Sequence, residues 1–143
     1  MIDRFKVIVS GFVKNSTGQL LVIRRSLNEE SFGGMLAIPG GTIEAEESNQ
    51  LQLDTVEKNL VREIKEETNI DVNVLSWVES TCMVKDGKAK LYIFFECEMV
   101  EAGNTDTETS DETPEVFWAD MSAIPLDECT PTLKKYIEAN LVH

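Results

Sequence analysis

The sequence predicts an α/β sandwich with a mixed central β-sheet. Three observations point there: two runs rich in Val, Ile, Leu and Phe in the first 25 residues, one helix-period apolar stripe in the middle, and strand-like and helix-like segments that alternate without internal repeats. A chain of 143 residues is about one domain's worth of protein, so residues 1–143 are read as a single domain.

Residues 5–13 and 19–25 are β-rich, and "NSTG" between them supplies turn residues, which predicts a hairpin. "SLNEESFGG" follows as a loop. Residues 35–38, "MLAI", form a short apolar strand that runs into a turn at Pro39, Gly40 and Gly41. A helix is signalled next by Leu53, Val56, Leu60 and Ile64, spaced three or four apart, with Asp54, Glu57, Arg62, Glu63, Glu66 and Glu67 off that stripe. Asn69 suits a left-handed helix end. Residues 72–84 and 88–100 are two further strands around "KDGK", where Asp86 and Gly87 fit a two-residue hairpin turn. That turn sets Cys82 opposite Leu91 and Cys97 opposite Ser76, so the two thiols are not cross-strand partners. Residues 101–114 are polar and acidic and read as a long surface loop, mobile or functional. "EVFWAD" is a last strand, and residues 130–141, with Pro131 near the start, a closing helix.

Composition narrows the function classes. Hydrophobic residues make up 42% and charged residues 27% of the chain, ordinary values for a globular protein, and no apolar run approaches the ~18 residues of a membrane span. The first residues read as a strand rather than a cleaved signal, which places the protein in the cytoplasm. Cys82, Cys97 and Cys129 are odd in number and far apart, against both a disulfide framework and a zinc knuckle. The net charge of −13 disfavours nucleic acid and anionic membranes as partners. A small phosphorylated substrate remains compatible if cations mediate the contact, and the chain is expected as a monomer or homodimer.

The chemistry lies in residues 39–70. On a helix Glu63 and Glu67 are neighbours and Glu66 sits beside them, so three carboxylates share one face. Alone, such a face is commonly just solvated. It becomes favourable when a hard cation, Mg²⁺ or Mn²⁺, takes carboxylate oxygens and keeps waters for a substrate phosphate. The strand and Gly-Gly turn that precede it let backbone approach a ligand closely.

At these residues the chain resembles the Nudix hydrolase superfamily, whose signature is G-x5-E-x7-R-E-U-x-E-E-x-G-U, with U a bulky aliphatic. Gly41 and Glu47 fit its first part, and Arg62, Glu63, Ile64, Glu66, Glu67 and Ile70 its second. "LAIPGG" and the Trp118 strand also look like the family's surroundings, so the resemblance covers nearly the whole chain. Three departures stand out: fourteen residues separate Glu47 from Arg62 where the signature has seven, Asn69 replaces a glycine, and Ala45 precedes Glu46 where relatives often have Gly. Counting back from Arg62 by the family's interval reaches Asp54, so either Glu47 or Asp54 fills the first acidic position. Were the extra seven residues helical, the later carboxylates would keep their facing but shift ~10 Å along the axis. The expectation is that residues 48–54 loop out instead.

The resemblance implies a Nudix-like α/β/α sandwich and Mg²⁺-dependent hydrolysis of a pyrophosphate linkage in a nucleoside diphosphate derivative. By the same resemblance Glu63, Glu66 and Glu67 are metal ligands assisted by the Gly40 carbonyl, Arg62 ties helix to turn through a carboxylate, and either Glu63 or Glu112 is the base. Phe12, Phe32, Trp77, Tyr92 and Phe94 are each either core or base-stacking residues. Arg24 and Arg25 either reach phosphates or pair with the acidic "NEE" loop. Resemblance to ADP-ribose and coenzyme A subfamilies fails: no proline lies between Pro39 and Pro114, and Glu30 holds an expected arginine position. The isoprenoid isomerases need internal His and Cys ligands, and the one histidine is His143. A nucleoside triphosphate or other small nucleotide remains, and a nucleotide-binding or regulatory module without turnover is the alternative.

Overall fold

A computed structural model describes residues 1–141; His143 lies outside them. The strands are β1 (Phe5–Lys14), β2 (Leu20–Arg24), β3 (Leu36–Ala37), β4 (Gly40–Thr42), β5 (Val72–Lys85), β6 (Lys88–Met99) and β7 (Glu115–Ala119); the helices are α1 (Thr55–Thr68) and α2 (Pro131–Leu141). One seven-stranded mixed sheet runs β3-β2-β1-β6-β5, with β4 added to β1 and β7 to β2. Among the named strands of the described residues, only β1 and β6 pair in parallel.

Side-chain alternation sorts the strands into two cores, because successive residues point to opposite faces of a sheet. Val9, Val13, Leu21, Ile23 and Phe95 pack on one face with Leu60 and Ile64 of α1. Phe12, Leu20, Val22 and Phe94 pack on the other with Leu133, Tyr136 and Ile137 of α2. These runs are apolar on both faces since each face carries a helix, and the result is the α/β/α sandwich.

Local chemistry corrects several sequence expectations. β1 and β2 meet only at Lys14↔Leu20; Asn15 folds its side chain onto the N–H groups of Thr17 and Gln19 and turns the chain away, so β2 pairs along its length with β7. The turn at Gly40 and Gly41 is a short strand, with Gly40 opposite Ser10 and Gly41 opposite Val9. Leu53 does not join the helix stripe: it precedes α1 and is 69% exposed, because Asp54 takes a left-handed backbone, φ 54°. The β5–β6 hairpin does set Cys82 opposite Leu91, but Cys97 faces Val74 rather than Ser76, as irregularities at 74/76 and 77/79 slip the register. The two thiols are still not partners. Residues 101–114 are tied rather than free: Glu108 N–H donates to the Thr68 carbonyl and Asn104 N–H to Asp71.

Candidate active site

The site is assembled where β4 passes the last turns of α1. Gly40 is a non-hydrogen-bonded partner of Ser10, since Gly11 N–H goes to the Pro39 carbonyl and Ile43 N–H to that of Val7. Its N–H and carbonyl therefore both face away from β1. The N–H donates to Glu67 Oε1 at 3.1 Å. A Cβ on Gly41 would overlap the Glu63 carboxylate, and one on Gly40 would strike the Val9 carbonyl and Ser10. The glycine pair is needed for close approach on both sides of β4 rather than for an unusual φ.

Burial raises the carboxyl pKa of Glu67 to about 7, against the Gly40 hydrogen bond that lowers it, with the neighbouring Glu63 charge adding to the rise. Glu63 is raised as well, chiefly by burial, while Arg62 opposes the shift. Two acids whose charge is incompletely compensated thus stand side by side at the helix–strand seam. Glu66 is more exposed and pairs with Arg62 at 3.4 Å. Among the described residues no three His, Cys, Asp or Glu side chains converge as a metal cage. The donor chemistry nevertheless suits a hard divalent cation: desolvated carboxylates and a Gly40 carbonyl that β1 leaves unpaired.

The tie between helix and glycine strand differs from the sequence expectation. Arg62 pairs with Glu63 at 3.2 Å and Glu66, both on its own helix, and donates to Asn59 Oδ1 at 2.6 Å. It makes no ion pair with Glu47 or Asp54 among the described residues. Asn59, 7% exposed, accepts from Glu44 N–H at 2.9 Å and donates back to the Glu44 carbonyl at 3.0 Å. A buried amide therefore bridges the strand's exit to the helix, and Arg62 braces that amide. The sequence reading missed Asn59; a polar residue one position before the apolar-stripe residue Leu60 was the available signal.

A cleft of about 810 Å³ opens from this seam along the α2 side of the sheet, reaching Glu67, Gly40, Ser10, Tyr92, Phe94 and Arg25. Glu67 is the one acid of the three that lines it. Phe12 is core, Trp77 is exposed on β5, and Phe32 lines the cleft with φ 55°. Arg25 pairs with Glu29 at 3.4 Å, as the ion-pair reading had it, and also borders the cleft. Arg24 is held instead by Glu115 and Glu128. Glu112 is exposed, in the turn at residues 110–113, and does not line the cleft.

Residues 4–139 match the family profile described as the NUDIX domain. The chain belongs to the Nudix family. Curated relatives include Nudix hydrolase 5 of Arabidopsis thaliana, 35% identical over 97 residues, covering 66% of this chain and 29% of that protein. A Nudix hydrolase of Deinococcus radiodurans is 35% identical over 71 residues, covering 49% and 37%. The chain thus spans well under half the length of these relatives. Among solved structures, the MutT protein from Methanosarcina mazei Go1 superposes with TM-score 0.72 at 21% identity, covering 97% of this chain and 94% of that one. A C. elegans Ap4A hydrolase binary complex gives 0.67 at 14%, covering 93% of each. At such identities the likeness is one of fold.

Within the Nudix box the extra spacer is resolved physically. Residues 48–54 lie outside α1, so the glutamates stay beside the glycine strand. Glu47 is exposed and Asp54 makes no capping bond; neither engages the box arginine.

Proposed function

We propose that this chain is a Mg²⁺-dependent hydrolase of a pyrophosphate linkage in a nucleoside diphosphate derivative, a nucleoside triphosphate or other small nucleotide, with Mn²⁺ as a substitute cation. The observation that carries this reading is the Glu67 carboxylate, desolvated, bound to Gly40 N–H and open to a nucleotide-sized cleft. Glu63, Glu66, Glu67 and the Gly40 carbonyl would hold the cation. When bound, it supplies charge neutralisation for the anhydride and acidifies water. Arg62 and Asn59 fix the helix against the strand, which keeps the carboxylates beside the glycine strand. Glu63 takes the water's proton in preference to Glu112, because Glu63 abuts Gly41 at the seam and Glu112 lies on an exposed turn. Small nucleotides rather than nucleic acid suit the net charge of −13.

Glu66 turned onto Arg62 favours a second reading, a nucleotide-binding module with little turnover. Phosphate or pyrophosphate release from a nucleotide panel with Mg²⁺ separates the two. The hydrolase reading expects metal-dependent turnover that Glu67→Gln lowers by roughly 10²-fold or more; nucleotide binding that survives that change and never accompanies turnover supports the module.

A further inference from the structure

The cleft has a second charged end that the hydrolytic reading leaves unused. On the parallel strands β1 and β6, Lys6 lies beside Lys90, Ile8 beside Tyr92 and Ser10 beside Phe94. Alternate residues of a strand share a face, and all six line the cleft, so they form a ladder along its floor. Ser10, at one end, is the register partner of Gly40, whose N–H holds Glu67. The lysine pair is the other end. Four residues of strand at ~3.3 Å each set it about 13 Å from the seam.

Like charges on adjacent strands repel, with backbones only ~4.8 Å apart. No acid pairs with them: Glu29, Glu30 and Glu67 also line the cleft, yet among the described residues neither Lys6 nor Lys90 forms an ion pair. Arg4, Lys85 and Lys88 gather at the same end through the pairings Phe5↔Ala89 and Lys85↔Lys88. Five of the thirteen Lys and Arg residues thus meet there, while Asp3 and Asp86 are the only acids in residues 1–6 and 84–90. A cationic end to a cleft in a chain of net charge −13 concentrates field for an anion. Between the two ends the Tyr92 and Phe94 rings, 6.4 Å apart and within 9° of parallel, offer an apolar floor for an aromatic group.

We infer that Lys6 and Lys90 form an anion subsite, and that the substrate is a nucleoside diphosphate derivative with a further phosphate remote from the anhydride. The inference rests on the hydrolase reading for the anhydride but not for the subsite itself. A nucleotide charged only at its anhydride would leave the lysine pair unsatisfied, whereas a remote phosphate accepts from both ammonium groups.

Calorimetric binding to the full chain tests the subsite without turnover, with adenosine 2′,5′-bisphosphate and adenosine 5′-monophosphate as probes. The bisphosphate should bind about tenfold more tightly or better, and the double change Lys6→Gln and Lys90→Gln should bring the two to parity without lowering the melting temperature. Equal affinities in the unmodified chain, or a preference that survives the double change, would overturn the subsite. Turnover of a dinucleotide with and without a 2′-phosphate, run in parallel, reports on the hydrolase reading. Turnover of both at equal kcat/KM overturns the substrate class. A bisphosphate preference without turnover of either compound supports the subsite and counts against hydrolysis.

Discussion

Glu67 is under opposed demands: burial disfavours its charge, whereas the Gly40 N–H and any bound cation favour it. With its pKa raised from the ordinary carboxylate value to about 7, the native metal-free chain binds more protons than the unfolded chain between those two values. Unfolding free energy should then fall as pH rises through that window and level off above about 7. Thermal melts across the window, compared with Glu67→Gln, check this: the variant should show a flatter profile, and an unchanged profile would refute the burial of that charge. Asn59 is a second informative residue. Asn59→Ala leaves the Glu44 N–H and carbonyl without their partner and should cost about 1–3 kcal/mol in urea unfolding, with a loss of turnover, since the helix would no longer be registered against β4.

Helix α1 shows what sequence periodicity can and cannot reach. Leu60 and Ile64 are fully buried and Val56 packs beside them, as their spacing required. Leu53 continues the same spacing yet lies outside the helix, because the left-handed backbone at Asp54 breaks the run, a conformation no periodicity encodes. Removing residues 48–54 should therefore leave the fold intact, with a melting temperature within a few degrees and turnover reduced only a few-fold. Unfolding on that deletion would mean the spacer is structural. The left-handed Asn69, φ 68°, was legible because few residues tolerate that backbone. The Cys97 register was not: two bulges each move the pairing by one residue, taking Cys97 from Ser76 to Val74, and nothing in the apolar pattern announces them. The carboxylates and glycines of the site were legible as types at a spacing, while the Asn59 bridge exists only through a long-range contact with Glu44.

At the scale of the molecule, the sheet carries the site by letting β4 replace part of β1's second edge. That substitution brings Gly40 and Gly41 to the helix and opens the cleft alongside. On the proposed reading, in which Glu67 is a cation ligand, binding displaces the proton that burial retains there, so Mg²⁺ stabilisation of the chain should grow as pH rises through about 7. A thermal-shift titration at several pH values checks it; a shift independent of pH would deny that Glu67 is a ligand.

The most direct test of the central claim is release of phosphate or pyrophosphate from a panel of nucleoside diphosphate derivatives, with Mg²⁺ or Mn²⁺ and with chelator, for the unmodified chain and Glu67→Gln. Metal-dependent hydrolysis of at least one compound, abolished by chelator and lowered roughly 10²-fold or more in the variant, is the expected result. Absence of turnover across the panel with either metal, or equal turnover in the variant, would contradict it.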